Sequence, residues 1–166
     1  MIILGIDPGT SSIGQSILEA GASPRLLYAG VLRLDRVPPG ERLIALHQQV
    51  KKLINLWRPE AFAIEKLFFA KNAKTAMAVS ESRGALLLTA ALAGLRVYEY
   101  TPLEIKKAVT GDGTADKRAI QKMVTLTLPE TRGMRARDDV FDAIAVALTC
   151  HFKEFSSFQG REHIIK

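Results

Sequence analysis

Cysteine is almost missing from this chain: Cys150 is the only one in 166 residues. A single thiol cannot close an internal disulfide, so a reducing compartment, the cytoplasm, is the default expectation. Histidine is scarce as well, and His47, His151 and His163 form no metal-ligand pattern. Long apolar runs are absent. The longest stretch of that kind, "GALLLTAALAGL", has 12 residues and is too short to cross a bilayer. The start, "MIILGIDPG", reaches an Asp by residue 7 and has no basic head, so it does not read as a signal peptide. There are no internal repeats, linkers or low-complexity segments. These absences leave one domain over 1–155, with no membrane association, followed by a loose polar tail over 156–166.

What is present is an uneven charge. The net charge is +6, but residues 1–65 carry +1, residues 66–137 carry +7 and residues 138–166 carry −2. A basic middle followed by an acidic patch suits a polyanion held beside a site that needs negative charge of its own. On charge alone, a solvated lysine-rich surface explains the excess equally well.

The hydrophobic pattern gives the elements. Ile2 to Ile6 is a short buried strand closed by Pro8-Gly9, and "SSIGQSILEA" and "RLLYAGVLRL" read as two more strands around "GASP". Leu43, Leu46, Val50, Leu53 and Trp57 recur at steps of three and four, which is one face of a helix stopped by Pro59. "AFAIE" (61–65) and "RVYEY" (96–100) are strands, with an Ala- and Leu-rich helix between them ending at Gly94. Three helices follow: "PLEIKKAV" with Pro102 at its start, "ADKRAIQKMVTLTL", and a last one from 138 to about 155. The order β-β-β-α-β-α-β-α-α-α predicts an α/β fold: one five-stranded mixed sheet flanked by helices. In such sheets, sites form outside the carboxyl ends of the parallel strands.

Acids stand at those ends. Asp7 closes the first strand and Glu65 the fourth. If the two strands are parallel neighbours, their carboxylates lie about 5–7 Å apart. Asp139 and Asp142 share one face of the last helix, whose buried body presses its head against the sheet. Four converging carboxylates need a counter-charge. Oxygen donors without His or Cys suit Mg²⁺ or Mn²⁺, and metal beside a basic surface suits phosphodiester hydrolysis. Asp138, at the helix start, reads best as its N-cap.

The segments "GIDPGT" (5–10), "AIEKLFFAKNA" (63–73), "EIKKAVTGDGTADK" (104–117) and "DDVFDAIAVALTCH" (138–151) occur in the order found in RuvC proteins. Together they make the chain resemble the RuvC family of bacterial Holliday-junction resolvases over nearly its whole length. The resemblance implies a ribonuclease H-like fold, a homodimer and Mg²⁺-dependent cutting of four-way DNA junctions by paired nicks, leaving 5′-phosphate and 3′-hydroxyl ends in recombination and repair. The family's metal-binding acids match Asp7, Glu65, Asp139 and Asp142, with two Mg²⁺ per subunit expected and Mn²⁺ able to substitute. Its stacking aromatic falls on Phe68, beside Phe69. Its two phosphate-side lysines fall on Lys106 and Lys117, which complete the catalytic set. Lys71, Lys74, Arg83, Lys107, Arg118 and Lys122 are the further candidates for holding DNA arms. A RuvA–RuvB branch-migration complex is the implied partner.

Three features depart from the family pattern. Val140-Phe141 separates the acid pair where small residues are usual, Asp138 adds an acid, and Lys66 follows Glu65. For the dimer contact, the helix over 72–93 offers Ala76, Met77, Leu87 and Ala90. Three other readings compete. One is a related nuclease acting on RNA or another branched substrate. Another is a junction binder without catalysis. The third is an actin-like ATPase domain, suggested by "DPGTSS" but lacking a second phosphate loop.

Overall fold

A computed structural model of the chain describes residues 1–66, 73–134 and 138–155. The strands are β1 (Ile2–Asp7), β2 (Ser12–Glu19), β3 (Arg25–Arg33), β4 (Ala61–Glu65) and β5 (Arg96–Tyr100). The helices are α1 (Arg42–Trp57), α2 (Ala73–Leu92), α3 (Pro102–Thr110), α4 (Lys117–Thr127) and α5 (Asp138–Cys150), the last continuing as a wider π-helical turn over His151–Phe155. The order is the one expected from the hydrophobic pattern.

The sheet runs β3-β2-β1-β4-β5, antiparallel from β3 to β1 and parallel from β1 to β5. β1 and β4 are central, and Ile3, Leu4, Ile6 and all of Ala61–Ile64 are fully buried. Strand alternation sends their side chains to two separate cores. Leu4, Ile6, Ile13, Ile17, Phe62 and Ile64 meet Leu46, Val50 and Leu53 of α1 and Leu86 and Ala90 of α2. On the other face, Ile3, Leu18, Ala61 and Ala63 meet α3, α4 and the wholly apolar body of α5. Beside Ile3 and Leu18, that second face carries small residues where α5 comes closest. A Cβ at Gly5 would stand 2.5 Å from the Ala143 carbonyl oxygen and 2.7 Å from the Ala147 Cβ.

Two expectations change here. Ala90, assigned to a dimer contact, is fully buried in the core with α1. Met77, from the same expected set, is exposed, and so are the large apolar side chains of Leu88 and Leu92. A run of small and apolar residues marks helix packing without saying which partner it meets. Val140 and Phe141, between the paired acids, both turn into the core, so their size is absorbed there.

Candidate active site

The parallel pairing of β1 with β4 matches Gly5 to Ala63 and Ile6 to Ile64. One step further along each strand stand Asp7 and Glu65, side by side at the carboxyl edge of the sheet. Asp7 pairs on its other side with Gly14 of β2, and Glu65 with Tyr100 of β5. The Lys66 N–H donates to the Tyr100 carbonyl at 2.7 Å, so the ladder continues past Glu65 while the lysine side chain stays exposed.

The head of α5 completes the group. Ser12 donates its hydroxyl to Asp139 Oδ2 at 2.5 Å, and Ser16 donates to the Ala143 carbonyl at 2.9 Å. Between them Gly14 faces the Asp139 carbonyl so closely that any Cβ there would overlap it. Asp142, one turn into the helix, forms an ion pair with Lys117 at 3.6 Å.

The electrostatics confirm that these acids share one space. Burial pushes the Asp7 carboxyl up to about 7, with Asp142, Glu65 and Asp139 adding to the rise and Lys117 opposing it. Burial likewise pushes Glu65 up to about 7, again with Asp142 raising and Lys117 lowering. Asp142 is raised by burial, with Lys117 pulling it back. For Lys117 burial works against the charge, but Asp142 and Asp138 outweigh it and the ammonium is held more firmly charged than usual.

Glu65, Asp142, Lys106 and Lys117 line one cavity of about 220 Å³, floored by Ile105 and Ile120. Lys106 is delivered by α3, which a reciprocal capping box between Thr101 and Glu104 starts firmly. Lys153, beyond α5, donates to Glu104 at 2.7 Å, and together with the Thr101 contacts it draws that carboxyl down to about 2.

The donor set is four carboxylates with no imidazole or thiolate. Among the described residues, Lys117 is the cation that draws these carboxyls back down. Hard oxygen donors carrying excess negative charge fit a divalent cation of the Mg²⁺ type. Among the described residues no three potential ligands already stand as a finished metal cage. His47 is occupied with Thr89 on the opposite side of the sheet, and His151 is buried beyond α5.

The remaining basic candidates divide. Lys107, Arg118 and Lys122 are exposed, and Arg118 and Lys122 flank a groove of about 480 Å³ that Gln121 and Phe141 also line. Arg83 is different. It donates Nε to the Glu65 carbonyl at 3.2 Å and forms an ion pair with Glu99, so it braces the end of β4 instead of facing solvent. Phe68, Phe69 and Lys71 lie outside the described residues, as does the side chain of Lys74.

Asp138 is also corrected. It is the first residue of α5, and among the described residues its carboxylate accepts from Lys117 Nζ and Gln121 Nε2, each at 3.4 Å, with no bond from the helix backbone. Lys117 and Gln121 are one turn apart on α4, so Asp138 ties the head of α5 to α4. Its place beside an acid pair gave no sign of that. Ser12 and Gly14 were missed too, because their partner lies more than a hundred residues away in sequence.

Known proteins share this fold and much of this sequence. The family model "Crossover junction endodeoxyribonuclease RuvC" matches residues 3–151. A protein of that name from Pelotomaculum thermopropionicum is 47% identical over 160 residues, covering 94% of this chain and 95% of its own length. One from Moorella thermoacetica is 46% identical over 168 residues, covering 98% and 96%. The solved structure of Thermus thermophilus RuvC in complex with Holliday junction substrate superposes with a TM-score of 0.85 at 34% identity, covering 96% of each chain. The sheet and its helices are therefore a ribonuclease H-like fold. The family's nucleases are metal-dependent. With the family model matching residues 3–151 and relatives 46–47% identical over nearly the whole chain, the chain belongs to the RuvC family of crossover junction endodeoxyribonucleases.

Proposed function

We propose that Asp7, Glu65, Asp139 and Asp142 hold two Mg²⁺ ions per subunit, with Mn²⁺ able to substitute, and that the site so formed nicks Holliday junctions at paired positions. One observation carries this reading. Asp7 and Glu65, both raised to about 7 by burial and by acid neighbours, end adjacent strands, and Glu65 lines with Asp142 a cavity edged by two lysines. A buried acid group of that kind is costly unless a cation neutralises it. When bound, Mg²⁺ supplies Lewis-acid stabilisation of the phosphate and a more acidic water.

The chain's own residues do the rest. β1 and β4 fix Asp7 and Glu65 on rigid strands, and α5 brings Asp139 and Asp142 to them. Lys117, kept charged by its acid neighbours, and Lys106 offset the extra negative charge on the phosphate being cut. Lys107, Arg118 and Lys122 lie outside this centre and hold the DNA backbone, a contact that weakens steeply with salt. The ribonuclease H-like match to a RuvC–junction complex favours four-way DNA over the RNA and non-catalytic readings, and family membership removes the ATPase reading.

A two-fold dimer fits the near two-fold symmetry of a four-way junction. Its surface is the exposed apolar set of Met77, Leu88 and Leu92 on α2 with Leu43 and Ile44 on α1, of which Leu43, Ile44 and Leu88 line a groove of about 430 Å³. The reaction takes place in the cytoplasm, where a RuvA–RuvB complex delivers the junction. No described helix is long and apolar enough to cross a membrane.

The test is cleavage of a synthetic four-way junction with Mg²⁺. Asp7→Asn binds the junction and does not cut it. Cutting at the wild-type rate overturns the metal-site reading. Sedimentation gives a dimer, and a strict monomer with full paired cleavage overturns that part.

A further inference from the structure

We infer that Ser12 is a positioning residue of the nuclease site, holding the Asp139 carboxylate in place for a divalent cation. This rests on the metal reading above. The hydroxyl donates to Asp139 Oδ2 at 2.5 Å, the short range of a charge-assisted O–H···O⁻ bond. Oδ1 has no protein donor among the described residues, so one carboxylate oxygen is fixed and the other is left for a ligand.

The serine itself is held by backbone. It opens β2 opposite Arg33, the Leu34 N–H donates to the neighbouring Ser11 carbonyl at 2.8 Å, and Gly9 closes against the Ser12 carbonyl with no room for a Cβ. The hydroxyl is therefore presented from a rigid strand end.

Ser12, Gly14 and Ser16 are successive inward positions of β2, and all three meet α5. Ser16 holds the Ala143 carbonyl at 2.9 Å, and Gly14 abuts the Asp139 carbonyl. Two of these contacts seat helix backbone. Only Ser12 reaches a side chain, and that side chain is one of the four acids.

The two helix-borne acids are thus supported differently. Asp142 is held by Lys117, a flexible cation whose side chain is 64% exposed. Asp139 is held by a neutral donor that orients the carboxylate without cancelling its charge. Outer partners of metal-binding carboxylates act in this way, and losing one weakens metal binding or activity about 10- to 100-fold.

The experiment measures Mn²⁺ affinity by calorimetry on the DNA-free protein, alongside thermal unfolding. The variants are Ser12→Ala, Ser12→Thr, Ser16→Ala and Asp139→Asn. Ser12→Ala weakens Mn²⁺ binding about tenfold or more, Ser12→Thr restores it, and Ser16→Ala lowers the melting temperature with little change in affinity. If Ser12→Ala also lowers the melting temperature, Ser12→Thr decides: restored affinity supports the role and unrestored affinity overturns it. Wild-type affinity in Ser12→Ala, with weakened affinity in Asp139→Asn, overturns the role of Ser12 and leaves the metal site standing. An equal loss in Ser16→Ala also overturns it, since helix seating alone then explains the effect. Wild-type affinity in Asp139→Asn overturns the metal reading as well.

Discussion

The two faces of the sheet are packed with different sizes of side chain. Toward α1 and α2 the strands present Leu4, Ile6, Ile13, Ile17, Phe62 and Ile64, a deep aliphatic cushion. Toward α5, Ile3 and Leu18 are joined by Gly5, Gly14, Ser16, Ala61 and Ala63, and at the glycines the helix rests almost on the strand backbone. A cushion of large side chains can adjust when one is trimmed. A helix lying on glycine and serine has no such slack. The acids are carried by the second arrangement, so the molecule keeps its closest packing where carboxylate placement matters.

The sharpest way to break this comparison is to give β2 a side chain where it has none. Gly14→Val drives a branched side chain into the Asp139 carbonyl, so α5 lifts or the domain fails. The expected loss, read by denaturant unfolding, exceeds about 4 kcal/mol. A stable, fully cutting Gly14→Val shows that α5 is not held by close approach. On the other face, Leu46→Ala removes a fully buried side chain from the cushion. It costs about 2–5 kcal/mol of stability, while junction cutting by the folded fraction persists at 25 °C. Activity lost out of proportion to the folded fraction means the two faces are not separable.

The acids also set a pH dependence. Asp7 and Glu65 are raised from ordinary values near 4 to about 7 in the folded protein. The folded state therefore binds more protons than the unfolded one across that interval. The stability from their protonation is complete below pH 4 and is lost as pH rises through 7. With chelator present the melting temperature falls between pH 5 and 8, and added Mg²⁺ raises it more at pH 8 than at pH 5. A flat profile removes the crowding of acids from the account. The smallest effect belongs to Asp138→Ala. An exposed pair with Lys117 contributes less than about 1 kcal/mol, so unfolding barely moves. Cleavage drops a few-fold because Lys117 loses one of its two acid partners. Unchanged cleavage shows that Asp142 alone places the lysine.

Much of this was legible in the sequence because it is local. Strand ends mark themselves where an apolar run stops, which exposed Asp7 and Glu65. Helical spacing paired Asp139 with Asp142, and Pro102 announced α3. What could not be read depends on partners distant along the chain. The sequence marked Arg83 as a basic residue but could not show its contacts with the Glu65 carbonyl and Glu99. Asp138 looked like a cap until α4 supplied Lys117 and Gln121. Ala90 had the composition of a dimer surface, but only the docking of α1 shows that it is interior.

The acids reach the site from positions 7, 65, 139 and 142, so the first and last core elements must both be in place before the set is complete. Ribosomes deliver the chain from its N-terminus at about 5–20 residues per second. β1 and β4 therefore emerge well before α5 has been translated. A nascent or prematurely terminated chain can carry Asp7, Glu65 and the basic helices α3 and α4, yet it lacks the two acids on α5. Such a fragment also lacks the apolar face of α5 against which α3 and α4 pack. On the proposed reading, the ligand set is complete only once the last helix of the core has been made.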